Sequence, residues 1–228
     1  MLTRAQEQLI ASLKTKKGRE ESGYCLVEGK KVIATAGKAV QWTFSAADTK
    51  KFDQLVDVQT PQGLAGVARI PEWSERDVFG RNTVIVLDGV QDPGNVGAIA
   101  RLCLGFGASL ILVESADITA PKVIRASVGA LFSIPWIRYS RAGIVQIVGT
   151  HEHTIYRLEK TNQKNKLELP AERDKLSKKA IIIAGSEGHG IELPITGTSV
   201  SIRHEKTLES LNVGHALAIL LSLRYSSQ

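Results

Sequence analysis

Three short apolar runs constrain the fold of this chain more than any other feature: Thr83-Val-Ile-Val-Leu-Asp, Leu110-Ile-Leu-Val-Glu and Ala180-Ile-Ile-Ile-Ala-Gly. A strand with one wet face alternates apolar and polar residues; these do not, so both faces are covered, as in a buried parallel sheet. Between the first two runs, Val96, Ile99, Ala100 and Cys103 fall on one helical face. Strands alternating with helices give an α/β domain with a parallel sheet. A further strand is expected at residues 143–149, and the polar stretch Lys160 to Lys179 is expected to include a surface loop.

The first seventy residues have a different texture. A helix is expected over Ala5 to Leu13, then a basic stretch, then a short strand running into a helix from Tyr24 to Ile33. Gln41 to Ser45 alternates like a strand, and Thr60-Pro-Gln-Gly is a turn leading into another that ends near Ile70. Pro71, Gly80 and several charges mark the connection to the apolar runs. The chain therefore divides into a small N-terminal α/β domain (1–72), a linker (73–82) and the parallel-sheet domain (83–228).

Of the 228 residues, 43% are hydrophobic and 23% charged, values of an ordinary soluble protein. No apolar run is long enough to span a bilayer, and Met1-Leu-Thr-Arg-Ala-Gln-Glu lacks the pattern of a secretory signal. Cys25 and Cys103 are too few for a disulfide framework or a four-ligand zinc site, so reduced thiols in a cytoplasmic protein are expected. His151-Glu-His153 lacks the i, i+4 spacing of a helical zinc pair, and no metal is expected. The net charge of +6 favours an anionic partner. The basic residues crowd the start of the chain, where Arg4, Lys16, Lys17, Arg19 and Lys30 are candidates for binding it.

Parallel sheets bind ligands at the carboxyl ends of their strands, and three such ends carry unusual residues. In Asp92-Pro-Gly-Asn95 a turn precedes a helix that Asn95 could cap; Gly94, Gly97 and Arg101 are expected on its side away from the apolar stripe, where a phosphate backbone could come close. In Gly185-Ser-Glu-Gly-His-Gly190 the glycines follow G-x-x-G-x-G, which is not the dinucleotide fingerprint, so a nicotinamide enzyme is disfavoured. Glu187, between those glycines, is hard to explain as a surface residue. In Ser210-Leu-Asn-Val213 either Ser210 or Asn212 can cap the last helix, and capping accounts for one polar residue, not two. That helix is apolar on almost all sides and is expected to be buried.

These segments, in this order and spacing, resemble the motifs of the SpoU (TrmH-like) family of the SPOUT methyltransferases. The matching pieces are Asn95-x-Gly97-x-x-x-Arg101, Gly185-Ser-Glu187-Gly188 and Ser210-Leu211-Asn212-Val213, with Arg125-Ala-Ser-Val-Gly-Ala-Leu between them. Val27-Glu28-Gly29-Lys-Lys-Val resembles the opening of the substrate-binding domain often fused ahead of that fold. The resemblance implies a deep trefoil knot holding S-adenosylmethionine through Gly185, Gly188, Ile202 and Leu211. It also implies a homodimer and methyl transfer to a ribose 2′-hydroxyl by Arg101, Asn95, Glu187, Ser210 and Asn212. The N-terminal domain favours ribosomal RNA of the 23S type as substrate. Transfer RNA, or a catalytically silent RNA-binding protein of the same fold, are the alternatives. Arg203-His204 after Ile202, where relatives commonly carry proline and a hydrophobic residue, departs from the pattern.

Overall fold

The computed structural model describes residues 1–56, 63–160, 166–205 and 207–225; the expected turn at Thr60 to Gln62 lies outside them. The chain forms two compact units, one of residues 1–72 with 117–133, the other of 73–116 with 134–228.

The first unit opens with α1 (Arg4–Ser12), whose N-terminus is closed by a reciprocal capping box between Thr3 and Gln6. It continues through α2 (Lys16–Ser22), β1 (Tyr24–Glu28), α3 (Lys30–Ala36), β2 (Val40–Ser45), α4 (Phe52–Leu55) and β3 (Leu64–Arg69). The strands form an antiparallel sheet in the order β1-β3-β2. Its core includes Ile10, Leu13, Leu26, Phe44, Phe52 and Val67.

The stretch expected to be a linker contains α5 (Glu75–Phe79), started by a Ser74–Asp77 capping box. Val78 and Phe79 are buried in the core of the second unit, so the segment is part of that unit and not a tether. Then come β4 (Thr83–Asp88), α6 (Pro93–Gly105) and β5 (Ser109–Val113). Residues 117–133 return to the first unit and carry α7 (Pro121–Ala126), which packs on β1. Within that unit Arg125 Nη1 donates to Glu28 Oε2 at 2.7 Å, joining two motifs 97 residues apart. The chain resumes the second unit with β6 (Trp136–Tyr139), α8 (Arg141–Val148), β7 (Thr154–Leu158), β8 (Leu167–Leu169), β9 (Ala180–Gly185), β10 (Thr198–Ile202) and α9 (Val213–Tyr225).

The seven strands run parallel in the order β6-β5-β4-β9-β7-β10-β8. Every residue of β4 and β5 is buried, and in β9 only the terminal Gly185 is not, as the unbroken apolar runs require. One expectation fails here. Residues 143–148 are helical and Gly149 is the C-cap, because Ser140 caps α8, which buries Ile144 and Val148 at helical spacing. The polar stretch from Lys160 also carries a strand: Leu167–Leu169 pairs with β10 at the sheet edge, while 161–165 lie outside the described residues. Before β7, His151 stacks on Phe79 with ring centroids 3.7 Å apart. No helix among the described residues is long and apolar enough to cross a membrane.

Candidate active site

The carboxyl ends of β4 and β9 and the turn before α9 bring three of the sequence motifs together. Asn95 Nδ2 donates to Glu187 Oε1 at 2.6 Å. Asn212 Nδ2 donates to Asn95 Oδ1 at 2.9 Å and lies 3.2 Å from the same Glu187 oxygen. Asn212 Oδ1 in turn accepts the backbone N–H groups of Gly214 and His215, which caps α9. Each amide is thus oriented by a partner whose own position is fixed. Glu187 accepts two donors through one oxygen, and the other has no hydrogen-bond partner among the described residues.

Asn95 is not the cap of α6. Asp92 is, accepting the Asn95 N–H at 2.7 Å, which leaves the Asn95 side chain free for the network. Gly97 lies on the buried face of α6 with Val96 and Ala100, so the exposed stripe of small residues is Gly94, Ala98 and Gly105, with Arg101 among them. Arg101 is exposed and has no hydrogen bond or ion pair among the described residues. It therefore stands outside the Asn95–Glu187–Asn212 network, its five donors open to an anion.

Beside Glu187 opens a cavity of about 1080 Å³, just above the usual range for small-molecule sites (roughly 300–1,000 Å³). Gly185, Ile202 and Leu211 line it, as does Ser210, together with apolar Leu158 and Val200. Gly188 is exposed and lies off the wall. A Cβ on Gly185 would overlap the Gly190 carbonyl and the Ile191 amide, so only glycine lets the two backbones touch here. The Gly190 N–H donates to the Ser186 carbonyl at 2.9 Å, closing the turn that presents Glu187. An apolar slot walled by such backbone suits an adenine ring, and the strand-end polar groups suit a ribose.

Arg19 is not available to RNA. It is 3% exposed and donates to the Leu13 carbonyl at 2.8 Å, Thr119 Oγ1 at 3.1 Å and Asp117 Oδ2 at 2.6 Å, all within the first unit. Arg4, Lys16, Lys17 and Lys30 are exposed; Lys16 and Lys17 each face a glutamate one turn on, at 3.7 Å. Burial pushes the thiols of Cys25 and Cys103 up to about 12, so neither is a nucleophile. The last helix is not buried all round: His215, Ile219, Ser222 and Tyr225 form an exposed face.

Asp88, the acid that ends the first apolar run, was not a candidate from sequence, although a carboxylate closing a buried strand was the available signal. Its side chain is wholly buried, and Oδ2 accepts the Glu192 and Leu193 N–H groups at 2.6 and 2.8 Å. Oδ1 lies 3.2 Å from Arg141 Nη2, which also meets Glu192 Oε2 at 2.7 Å.

A parallel sheet with a cavity and a network of polar side chains at its strand ends is the arrangement of an α/β enzyme. The chain belongs to the SpoU rRNA Methylase family, whose model matches residues 82–222. It is 32% identical to a 23S rRNA (adenosine(1067)-2′-O)-methyltransferase of Streptomyces azureus over 187 residues, covering 78% of this chain and 67% of that one. It is 27% identical to the 23S rRNA (guanosine(2553)-2′-O)-methyltransferase RlmP of Bacillus subtilis, covering 92% and 91%. Among solved structures, a TrmH-family protein of Porphyromonas gingivalis superposes with a TM-score of 0.80 at 28% identity over 98% of both chains. An AdoMet-bound rRNA methyltransferase of Sinorhizobium meliloti shares the fold, with a TM-score of 0.80 at 24% identity over 99% and 96%.

Proposed function

We propose that this protein transfers the methyl group of S-adenosylmethionine to a ribose 2′-hydroxyl of 23S-type ribosomal RNA. The observation that carries the reading is the Asn95–Glu187–Asn212 network beside the cavity lined by Gly185, Ile202 and Leu211. The names of the two relatives supply the ribose and the ribosomal RNA. The trefoil knot expected of the family, in which the C-terminal part of the chain threads through a loop, would hold the cofactor.

S-adenosylmethionine supplies a sulfonium methyl group. The protein must hold a ribose oxygen in line with it and ease the loss of the hydroxyl proton. Arg101 is the group for the charge that develops. A guanidinium offers donors and no acceptor, so Arg101 acts by binding the neighbouring phosphate and stabilising the oxyanion, while the hydroxyl proton passes to water. Glu187, with one oxygen unpartnered among the described residues, orients Arg101 or a substrate hydroxyl, Asn95 and Asn212 hold Glu187 in place, and Ser210 and Leu211 shape the wall.

Arg4, Lys16, Lys17 and Lys30 on the first unit contribute phosphate contacts, which position RNA without reading its sequence. The exposed apolar residues Leu104, Ile219 and Tyr225, 45%, 38% and 61% exposed on α6 and α9, form the surface for a second copy of the chain. The protein acts in the cytoplasm, where its RNA is.

Mapping 2′-O-methyl groups in total RNA with and without the gene tests the reading; loss of one site in 23S rRNA is expected, and an unchanged map would overturn it. Arg101→Lys keeps the charge but loses the planar fork. In a tritiated methyl-transfer assay it should lower turnover by about tenfold or more; near-normal turnover would remove the bidentate role.

A further inference from the structure

We propose that Asp88 is a positioning residue: its carboxylate closes the loop that forms one wall of the cavity and carries Glu187, and thereby sets the affinity for S-adenosylmethionine. The inference rests on the methyltransferase reading above.

The loop is defined at both ends by β4. In the sheet, Asp88 sits opposite Gly185, the last residue of β9. From there the chain runs through Ser186, Glu187, His189, Gly190 and Ile191, all of which line the cavity. It returns at Glu192 and Leu193, whose N–H groups both end on Asp88 Oδ2. One carboxylate at the end of one strand thus fixes where the loop re-enters, seven residues after it left the neighbouring strand. Arg141 grips the same return point from outside, reaching Glu192 Oε2 and Glu114 Oε2, both at 2.7 Å, as well as Asp88.

A wholly buried carboxylate is costly unless charge and hydrogen bonds compensate it. Two backbone donors and a guanidinium provide that compensation, and every one of them bears on the loop. Asp88 itself does not line the cavity and is 1% exposed, so it cannot touch cofactor or RNA. Its effect must pass through Ser186, His189, Gly190 and Ile191, which line the cavity, and through Glu187, which lines it too and meets Asn95 and Asn212.

Calorimetry with S-adenosylmethionine on the full-length protein tests this. Asp88→Ala should weaken binding by about tenfold or more, since two charge-assisted hydrogen bonds go. The fraction of chains that bind and the affinity for ribosomal RNA should stay as in wild type, which general unfolding would not allow. Asp88→Asn retains an oxygen able to accept both N–H groups and should recover most of the loss. An Asp88→Ala protein that binds S-adenosylmethionine within about twofold of wild type would overturn the proposal. A wild-type protein that does not bind it at all removes the methyltransferase reading instead. Hydrogen exchange on the wild type gives an answer even if Asp88→Ala does not fold. The Glu192 and Leu193 amides should exchange slowly without cofactor, and residues 186–190 should slow when it is added. Fast exchange at 192 and 193, or no slowing at 186–190, would sink the idea.

Discussion

Arg19 lies in the last turn of α2 and Arg101 in the second half of α6, and both look from the sequence like groups waiting for RNA. The regions around them treat the charge in opposite ways. In the first unit, the loop before α2 and the returning residues 117–119 close over Arg19 and satisfy it with a carboxylate, a hydroxyl and a carbonyl. In the second, the small residues Gly94, Ala98 and Gly105 along α6 leave Arg101 in solvent without a partner among the described residues. A buried arginine with its donors used up is a structural tie; an exposed one on a face of small residues is, in the proposed reaction, a reagent. The distinction lies in the partners, which come from distant parts of the chain.

The comparison can be broken most sharply at Arg19. Arg19→Ala breaks a largely buried ion pair with Asp117 and removes the donor to the Leu13 carbonyl, and should cost about 3–5 kcal/mol in chemical denaturation. Arg101→Ala should leave the unfolding curve within about 0.5 kcal/mol of wild type while lowering methyl transfer by about a hundredfold or more. If both variants lose stability alike, the contrast between tie and reagent is wrong. A smaller effect is expected within the network. Glu187→Ala removes the acceptor shared by Asn95 and Asn212, and should lower kcat/KM by about tenfold with little change in thermal stability.

The smallest effect concerns pH. Burial, with His153 nearby, holds the His151 imidazole below its ordinary value, which favours the neutral ring in the folded state. Its contribution is therefore complete above the ordinary histidine value of about 6.5 and declines as pH falls through that value toward the lowered one. Between pH 7 and pH 5 the melting temperature should drop, and His151→Phe, which keeps the stack on Phe79, should reduce that drop by about 1–2 °C. An unchanged slope would show that His151 does not titrate with folding.

Much of the second unit was legible because its strands are buried on both faces. Runs such as Thr83–Asp88 and Ala180–Gly185 admit little else, and a sheet of such strands places its site at their ends. Glu187 was legible as a carboxylate between glycines at a strand end, whereas Asn95 and Asn212 each read also as a helix cap, and the resemblance to the family's motifs is what set them beside Glu187. What escaped was whatever depends on a partner far away in sequence. Nothing local distinguishes Arg19 from Lys17, yet one is buried and the other is not. Residues 143–149 carry apolar residues that fit a strand as well as a helix, and only Ser140, a cap three residues before Gly143, pointed to α8. The capping box Ser74-x-x-Asp77 was a readable sign of α5, outweighed by the proline and charges around it. Asp88 was visible as the end of a run, but its role needs Glu192 and Leu193, over a hundred residues on.

Arg224, near the end of α9, is 4% exposed and donates to the carbonyls of Ser177 and Lys178 and to Thr83 Oγ1. That anchor makes one side chain a remote support of the site. Helix α9 brings Val213 and Ala216 to the lining and the N–H groups that orient Asn212. Arg224 ties the opposite end of the same helix to the residues that open β4 and precede β9, so the helix cannot slide along the sheet without carrying the asparagine with it.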